Sequence, residues 1–118
     1  MKIVDRKTFM ELPAGTLCAE GEPAVFGDLF FKGETLRRDN GVPFDYLRIG
    51  LYAFDHSQWD DMFENGTSRY FNTAESHIRD ACFNLDARYL VFEKYDLECL
   101  KDLIEKAIEK DRHTNDTV

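Results

Sequence analysis

Residues 44–54 alternate between two kinds of side chain, which is the pattern of a β-strand with two different faces. One face is continuously apolar and consists of Leu47, Ile49, Leu51 and Ala53. The other face carries aromatic rings around an arginine and a glycine, and consists of Phe44, Tyr46, Arg48, Gly50, Tyr52 and Phe54. A continuously apolar strand face needs a covering layer. The segment therefore predicts a sheet whose core lies on the Leu47 face, with the aromatic face directed away from that core.

Capping and turn residues predict the elements around this strand. Asp5 is placed to cap a short helix that Pro13 stops. Turn residues at 20–23 separate two runs, at 16–20 and 24–32, which predict an antiparallel hairpin. Residues 89–92 are apolar on both faces and indicate a central strand. Residues 57–64 predict a short helix, whereas 73–85 fit either a helix or an irregular segment.

The end of the chain predicts an amphipathic helix that begins after Asp96. Its apolar stripe consists of Leu97, Leu100, Ile104, Ala107 and Ile108. An antiparallel sheet with this C-terminal helix packed on one face is a two-layer α+β sandwich. We therefore expect a single α+β domain over residues 1–118, with 112–118 as a frayed tail.

Charge narrows the classes of partner. The chain carries 23 acidic and 15 basic side chains, for a net charge of −8. Duplex nucleic acid and anionic membranes both require a basic surface, so we expect neither as a partner. Residues 55–118 account for −7 of the total and residues 1–54 for only −1. A small anionic ligand is therefore compatible with the first half of the chain.

The cysteines and the N-terminus indicate a compartment. The three cysteines form no Cys-x-x-Cys pair, and no run of about 18 apolar residues or signal-peptide core is present. Free thiols are typical of a reducing environment. We expect a cytoplasmic protein.

Two groups of residues form a candidate ligand site. Tyr46, Tyr52 and Phe54 offer rings for stacking on a base, and Arg48 lies among them. The basic segment 32–38 predicts a mobile loop that closes over phosphate through Lys32, Thr35, Arg37 and Arg38. The alternative interpretations are that a second layer or a partner subunit covers the aromatic face, and that the basic segment is a solvated loop.

The sequence does not assemble a catalytic or metal-binding motif. Asp55, His56, Asp60, Asp61 and His77 follow no ligand spacing such as His-x-x-x-His. Ser76, His77 and Asp80 are not a triad by spacing alone. We therefore expect no catalytic residue, no metal and no cofactor, and predict a binding protein rather than an enzyme.

The acidic second half supports a different function. Acidic residues lie around 55–64 and along the last helix, and suggest a surface that imitates nucleic acid and docks in a basic groove of another protein. The alternative is an ordinary solvated face, because the acids of the helix alternate with lysines. Trp59 and Phe63 lie beside those acids as possible anchors of an interface.

Two motifs resemble small proteins encoded by phages and prophages. The opening motif comprises Val4, Arg6, Phe9, Leu12, Pro13, Gly15 and Thr16. The closing motif comprises residues 89–94 and Asp96, followed by an amphipathic helix. The resemblance implies a counter-defence factor in the cytoplasm of a bacterial host. Such a protein either sequesters a signalling nucleotide or blocks a host protein directly. We expect the first function for this chain, and we expect the chain to form a homo-oligomer.

Overall fold

The computed structural model describes residues 1–22, 25–51, 56–68, 77–80 and 85–116. The described elements, in chain order, are β1 (Lys2–Asp5), α1 (Arg6–Met10), β2 (Leu17–Glu22), β3 (Val25–Arg37), β4 (Pro43–Gly50), α2 (His56–Asn65), β5 (His77–Arg79), β6 (Arg88–Val91) and α3 (Lys94–Asp116). The described strands form one sheet in the order β1-β6-β2-β3-β4-β5, and all neighbouring strands are antiparallel. The predicted α+β fold class, with an antiparallel sheet and a C-terminal helix, is confirmed.

Local signals at the N-terminal side of the chain are confirmed. Asp5 caps α1, because its Oδ1 accepts a hydrogen bond from the Thr8 backbone N–H at 2.8 Å. Strands β2 and β3 pair as the predicted antiparallel hairpin, but residues 20–22, which were predicted to form part of its turn, belong to β2, in which residues 21 and 22 pair with β3. Strand β1 was not predicted, since its four residues carry no clear alternation. It pairs with β6, which places β6 inside the sheet between β1 and β2, as expected for a central strand.

The core lies between α1 and one face of the sheet. Phe9 of α1 is fully buried and stacks on Tyr89, with ring centroids 3.8 Å apart. The same ring makes edge contacts with Tyr46 at 5.1 Å and with Phe30 at 6.4 Å. Tyr46 is therefore a core residue, and the prediction that its face is directed away from the core is wrong. Leu47 and Ile49, on the opposite face, are only half-buried.

The C-terminal helix α3 differs from the prediction in its packing. Its stripe is largely exposed, with exposed fractions of 42% for Leu97, 50% for Ile104 and 57% for Ile108. The packed helix on the core face of the sheet is α1, because Phe9 fills the space among the sheet's aromatic rings. The backbone of α3 is helical through Asp116, beyond the predicted fraying point at residue 112.

Two further predictions concern the middle of the chain. The short helix predicted over 57–64 corresponds to α2, and Gly66 follows it with a left-handed φ of 66°. Within the ambiguous segment 73–85, residues 77–79 form strand β5, and much of the remainder lies outside the described residues. In the described parts of the chain, no helix combines the length and apolar character needed to cross a membrane.

Candidate functional site

The predicted basic loop is part of a strand. Residues 32–37 belong to β3, which continues through two register shifts, so the prediction of a mobile loop beginning at residue 32 is wrong. Lys32 is fully buried, and its Nζ donates to the Gly33 carbonyl at 3.0 Å and to Thr35 Oγ1 at 2.7 Å. Thr35 Oγ1 in turn donates to the Met10 carbonyl at 2.7 Å. Burial lowers the pKa of Lys32. Lys32 and Thr35 thus connect β3 to the end of α1.

Arg37 also makes local contacts. Its guanidinium donates to the Gly41 carbonyl at 3.1 Å and pairs with Glu11 at 3.3 Å. Lys32, Thr35 and Arg37 line a small cavity of about 220 Å³. Their described partners are groups of the protein itself, and a ligand at these atoms would have to replace them.

The predicted stacking platform is not assembled in the described residues. Tyr46 is fully buried in the core, and Tyr52 and Phe54 lie outside the described residues. Arg48 is partly exposed beside a pocket of about 350 Å³. Its Nη1 contacts Glu20 Oε2 at 3.2 Å and Asp80 Oδ1 at 3.1 Å, and its guanidinium lies 3.9 Å from the Phe30 ring centroid. Two carboxylates therefore compensate the charge of Arg48.

Asp80 joins Arg48 to a second arginine. The Asp80 side chain is 1% exposed, and its Oδ2 lies 3.7 Å from Arg6 Nη1. Arg6 Nη1 also donates to the Tyr89 hydroxyl at 2.9 Å, and its guanidinium lies 5.6 Å from the Tyr46 ring centroid. Arg6 is only 6% exposed. Among the described residues, its Nη2 has no hydrogen-bond partner. Native structures rarely leave such a buried donor unused, and each case needs an explanation.

A pocket of about 710 Å³ opens between α1 and the β3–β4 turn, and Arg6 lies in its wall. Among the described residues, the basic side chains in the lining are Arg6, Lys7 and Arg38, and the acidic one is Glu11. The remaining lining is apolar and consists of Met10, Val42, Pro43, Phe44 and Leu85. The described lining is thus locally positive in a chain of net charge −8, and Arg38 is the one described residue of the predicted site that belongs to it.

The turn between β3 and β4 positions the outer wall of this pocket. The Arg38 backbone N–H donates to the Val42 carbonyl at 2.9 Å, and the Gly41 N–H donates to the Arg38 carbonyl at 2.8 Å. Gly41 has a φ of 85°, which glycine adopts without strain. Asn40 Oδ1 accepts from the Val42 N–H at 3.0 Å. These bonds bring the Arg38 guanidinium to 5.2 Å from the Phe44 ring centroid, a cation–π distance.

Arg6 and Phe44 were absent from the predicted site residues. Arg6 appeared only in the opening motif, and Phe44 only in the aromatic face of 44–54. A signal for Arg6 exists in its spacing, because Arg6, Phe9 and Met10 stand at i, i+3 and i+4 and share one face of α1. An arginine on the buried face of a short helix is unusual enough to mark a functional position.

The chemistry available in the pocket is recognition. Guanidinium and ammonium groups bind phosphate or carboxylate, and the apolar wall accepts the body of a ligand. In the described part of the chain, no group of three or more His, Cys, Asp or Glu is arranged to hold a metal ion.

Comparison with protein-family models, with curated proteins and with solved structures found no match to this chain. The interpretation of the pocket therefore rests on its own geometry.

Proposed function

We propose that this protein binds and sequesters a small nucleotide-like anion in the pocket between α1 and the β3–β4 turn. The observation that carries the proposal is the buried guanidinium of Arg6, whose Nη2 has no partner among the described residues, in the wall of that pocket. Nη2 is itself buried, so an anionic oxygen would satisfy this donor once the pocket wall shifted enough to open a path to it. A charge-assisted hydrogen bond of this kind is about twice as strong as a neutral one.

The other wall residues suit the rest of such a ligand. Lys7 and Arg38 supply two more positive charges for phosphate oxygens. The Phe44 ring lies against the guanidinium groups of Arg38 at 5.2 Å and Arg79 at 5.4 Å, and flat guanidinium planes are among the groups on which nucleobases stack. A volume of about 710 Å³ also falls within the range of small-molecule pockets.

Sequestration requires binding without turnover. A protein that holds a signalling nucleotide lowers its free concentration in proportion to the protein present. This is the activity that the resemblance to phage-encoded counter-defence proteins implies. We retain a cytoplasmic site of action in a bacterial host as part of the proposal.

Arg38→Ala tests the proposal. In the wild type, mono-, di- and cyclic nucleotides at about 1 mM should raise the melting temperature, since a ligand that binds only the folded state stabilises it. Removal of the Arg38 charge should weaken the affinity of the best ligand about tenfold, which corresponds to about 1.4 kcal/mol. Isothermal titration calorimetry at low and high salt measures this loss.

The matched control is Arg37→Ala. It removes the neighbouring arginine, whose side chain contacts Glu11 and Gly41 and does not line the pocket. We expect its affinity to stay within about twofold of the wild type, provided that melting without ligand shows a folded variant. Absence of stabilisation by every nucleotide at 1 mM, or an equal loss in both variants, would contradict the proposed site.

A second candidate function is direct inhibition of a host protein by the acidic surface of α2. Phe63 is 84% exposed, and its ring centroid lies 6.4 Å from that of Trp59. Asp60 and Glu64 flank it. An exposed aromatic side chain among acids has the chemistry of an interface anchor for a basic partner.

Phe63→Ser tests this candidate. A host protein captured from lysate by the wild type should bind the variant at least tenfold more weakly, because the ring would no longer be buried in the interface. Capture should also decrease steeply between 50 and 300 mM salt if acidic groups contribute. Asp28→Asn, which removes an exposed acid on β3, is the control. If the amount of captured protein depends neither on Phe63 nor on the salt concentration, the α2 surface is not the binding site.

A further inference from the structure

Helix α3 presents an apolar stripe with no covering element among the described residues. Large exposed apolar side chains along the helix have exposed fractions between 42% and 76%, and are Tyr95, Leu97, Leu103, Ile104 and Ile108. Every residue from 101 to 111 is exposed. The polar face is stabilised within the helix, because Lys94 pairs with Glu98 at 4.0 Å and Lys101 with Glu105 at 3.8 Å.

A free helix with this composition needs another source of stability. Isolated helices are marginal in water, and most helical stability in proteins comes from packing of the apolar face. The sheet does not supply that packing, since its core face is filled by Phe9 of α1. The stripe therefore indicates an intermolecular contact.

The charges of α3 select the class of partner. The helix carries seven acidic and five basic residues, so it lacks the basic polar face of membrane-surface helices. Its two signs are interspersed along its whole length. A surface of mixed, alternating sign is complementary to a copy of itself. We propose that α3 pairs with α3 of a second copy of this chain and so makes the protein a homodimer.

The residue spacing also selects the orientation of the two helices. Leu97, Leu100, Ile104 and Ala107 follow intervals of three, four and three, which is the spacing of a helix–helix seam. The next seam position is Asp111. In a parallel pair the two Asp111 carboxylates would face each other in the seam. An antiparallel pair places Leu97 opposite Ala107 and Leu100 opposite Ile104, and leaves each Asp111 beyond the apolar contact.

The inference is independent of the proposed nucleotide site, because the α3 side chains that the structure describes, up to residue 111, do not line that pocket. The contact is also modest in length, since the seam from Leu97 to Ala107 spans about 15 Å at 1.5 Å per residue. Short interfaces at the small end of the size range are transient. We therefore expect a dimer that forms at concentrations on the order of 10–100 μM.

Sedimentation equilibrium on the full chain tests the proposal. The wild-type mass should rise from 13.8 kDa toward twice that value as the concentration increases from about 1 to 200 μM. Ile104→Glu should raise the dimer dissociation constant at least tenfold, because it puts a carboxylate in the middle of the apolar seam. Since Ile104 is half-exposed in the monomer, the variant should fold with unchanged circular dichroism.

Two further variants serve as a charge control and as a test of the orientation of the two helices. Lys106→Gln makes the same change in net charge on the other face of the helix, and should dimerise within about twofold of the wild type. Asp111→Leu should change the dissociation constant by less than about threefold in an antiparallel pair. A monomer at all concentrations, or equal effects of Ile104→Glu and Lys106→Gln, would overturn the dimer. A large gain of affinity in Asp111→Leu would overturn the antiparallel orientation.

Discussion

Replacement of Asp80 by alanine should lower the free energy of unfolding by about 3–5 kcal/mol, the usual cost of removing one partner from a buried ion pair. The Asp80 carboxylate lies 3.1 Å from Arg48 Nη1 and 3.7 Å from Arg6 Nη1, and its side chain is almost completely buried. In Asp80→Ala both guanidinium groups would lose this counter-charge. Because small domains are stable by only about 5–15 kcal/mol, a large share of the total would be lost.

Urea unfolding followed by circular dichroism measures this effect. Asp28→Ala is the matched control, since it removes an exposed carboxylate at the edge of the pocket that Asp80 also lines. We expect the control to change the free energy of unfolding by less than about 0.5 kcal/mol. A loss below about 1 kcal/mol in Asp80→Ala would show that the two arginines find other partners.

Local features of the sequence predicted the elements well. The Asp5 cap acts within three residues, so its effect is readable without the fold. The turn residues at 20–23 indicated the hairpin in the same way, although β2 continues through Glu22. The same holds for β6, whose residues are apolar on both faces and which lies inside the sheet. These signals together gave the α+β class.

Alternation in β4 was read correctly as two faces, but the core face was assigned incorrectly. Period-two alternation tells which residues share a face and does not tell which face another element covers. Tyr46 faces the core because Phe9 of α1 packs against it, together with Phe30 and Tyr89. Such a contact between distant parts of the chain leaves no mark in the local pattern of residues 44–54.

The candidate pocket was predictable only in part. Arg38 was identified from the charge of its segment, and the structure places it in the pocket wall. Asp80, in contrast, meets Arg6 across 74 residues of chain, and only the antiparallel pairing of β5 with β4 brings it there. Lys32 was identified as a ligand contact because it belongs to the basic segment 32–38, yet its side chain is enclosed by β3 and α1.

Alkaline pH should destabilise the protein through Cys18, with a slope of about −1.4 kcal/mol per pH unit above pH 9. Cys18 is fully buried, and desolvation raises the pKa of its thiol from 9.0 to about 12. Between these values the unfolded chain releases the thiol proton and the folded chain keeps it. The contribution of Cys18 to the free energy of unfolding is therefore fully present below pH 9. It decreases as the pH rises toward 12, by about 4 kcal/mol in total.

Cys18→Ala isolates this contribution. The variant should be about 1 kcal/mol less stable at pH 7, because it loses the packed sulfur, but its stability should decrease less between pH 9 and 11 than that of the wild type. Burial also raises the pKa of Tyr46 and Tyr89, and lowers that of Lys32, but these groups are present in both proteins and cancel in the comparison.

The control for the pH experiment is Cys99→Ser, which replaces an exposed cysteine on α3 and should keep the full wild-type slope. Urea unfolding at half-unit pH intervals, with reductant present, gives the three slopes. Parallel curves for wild type and Cys18→Ala would mean that the folded protein ionises this thiol as easily as the unfolded chain does. In that case water would have to reach Cys18, and the packing of α1 over the sheet would be looser than its contacts with Phe30 and Tyr89 indicate.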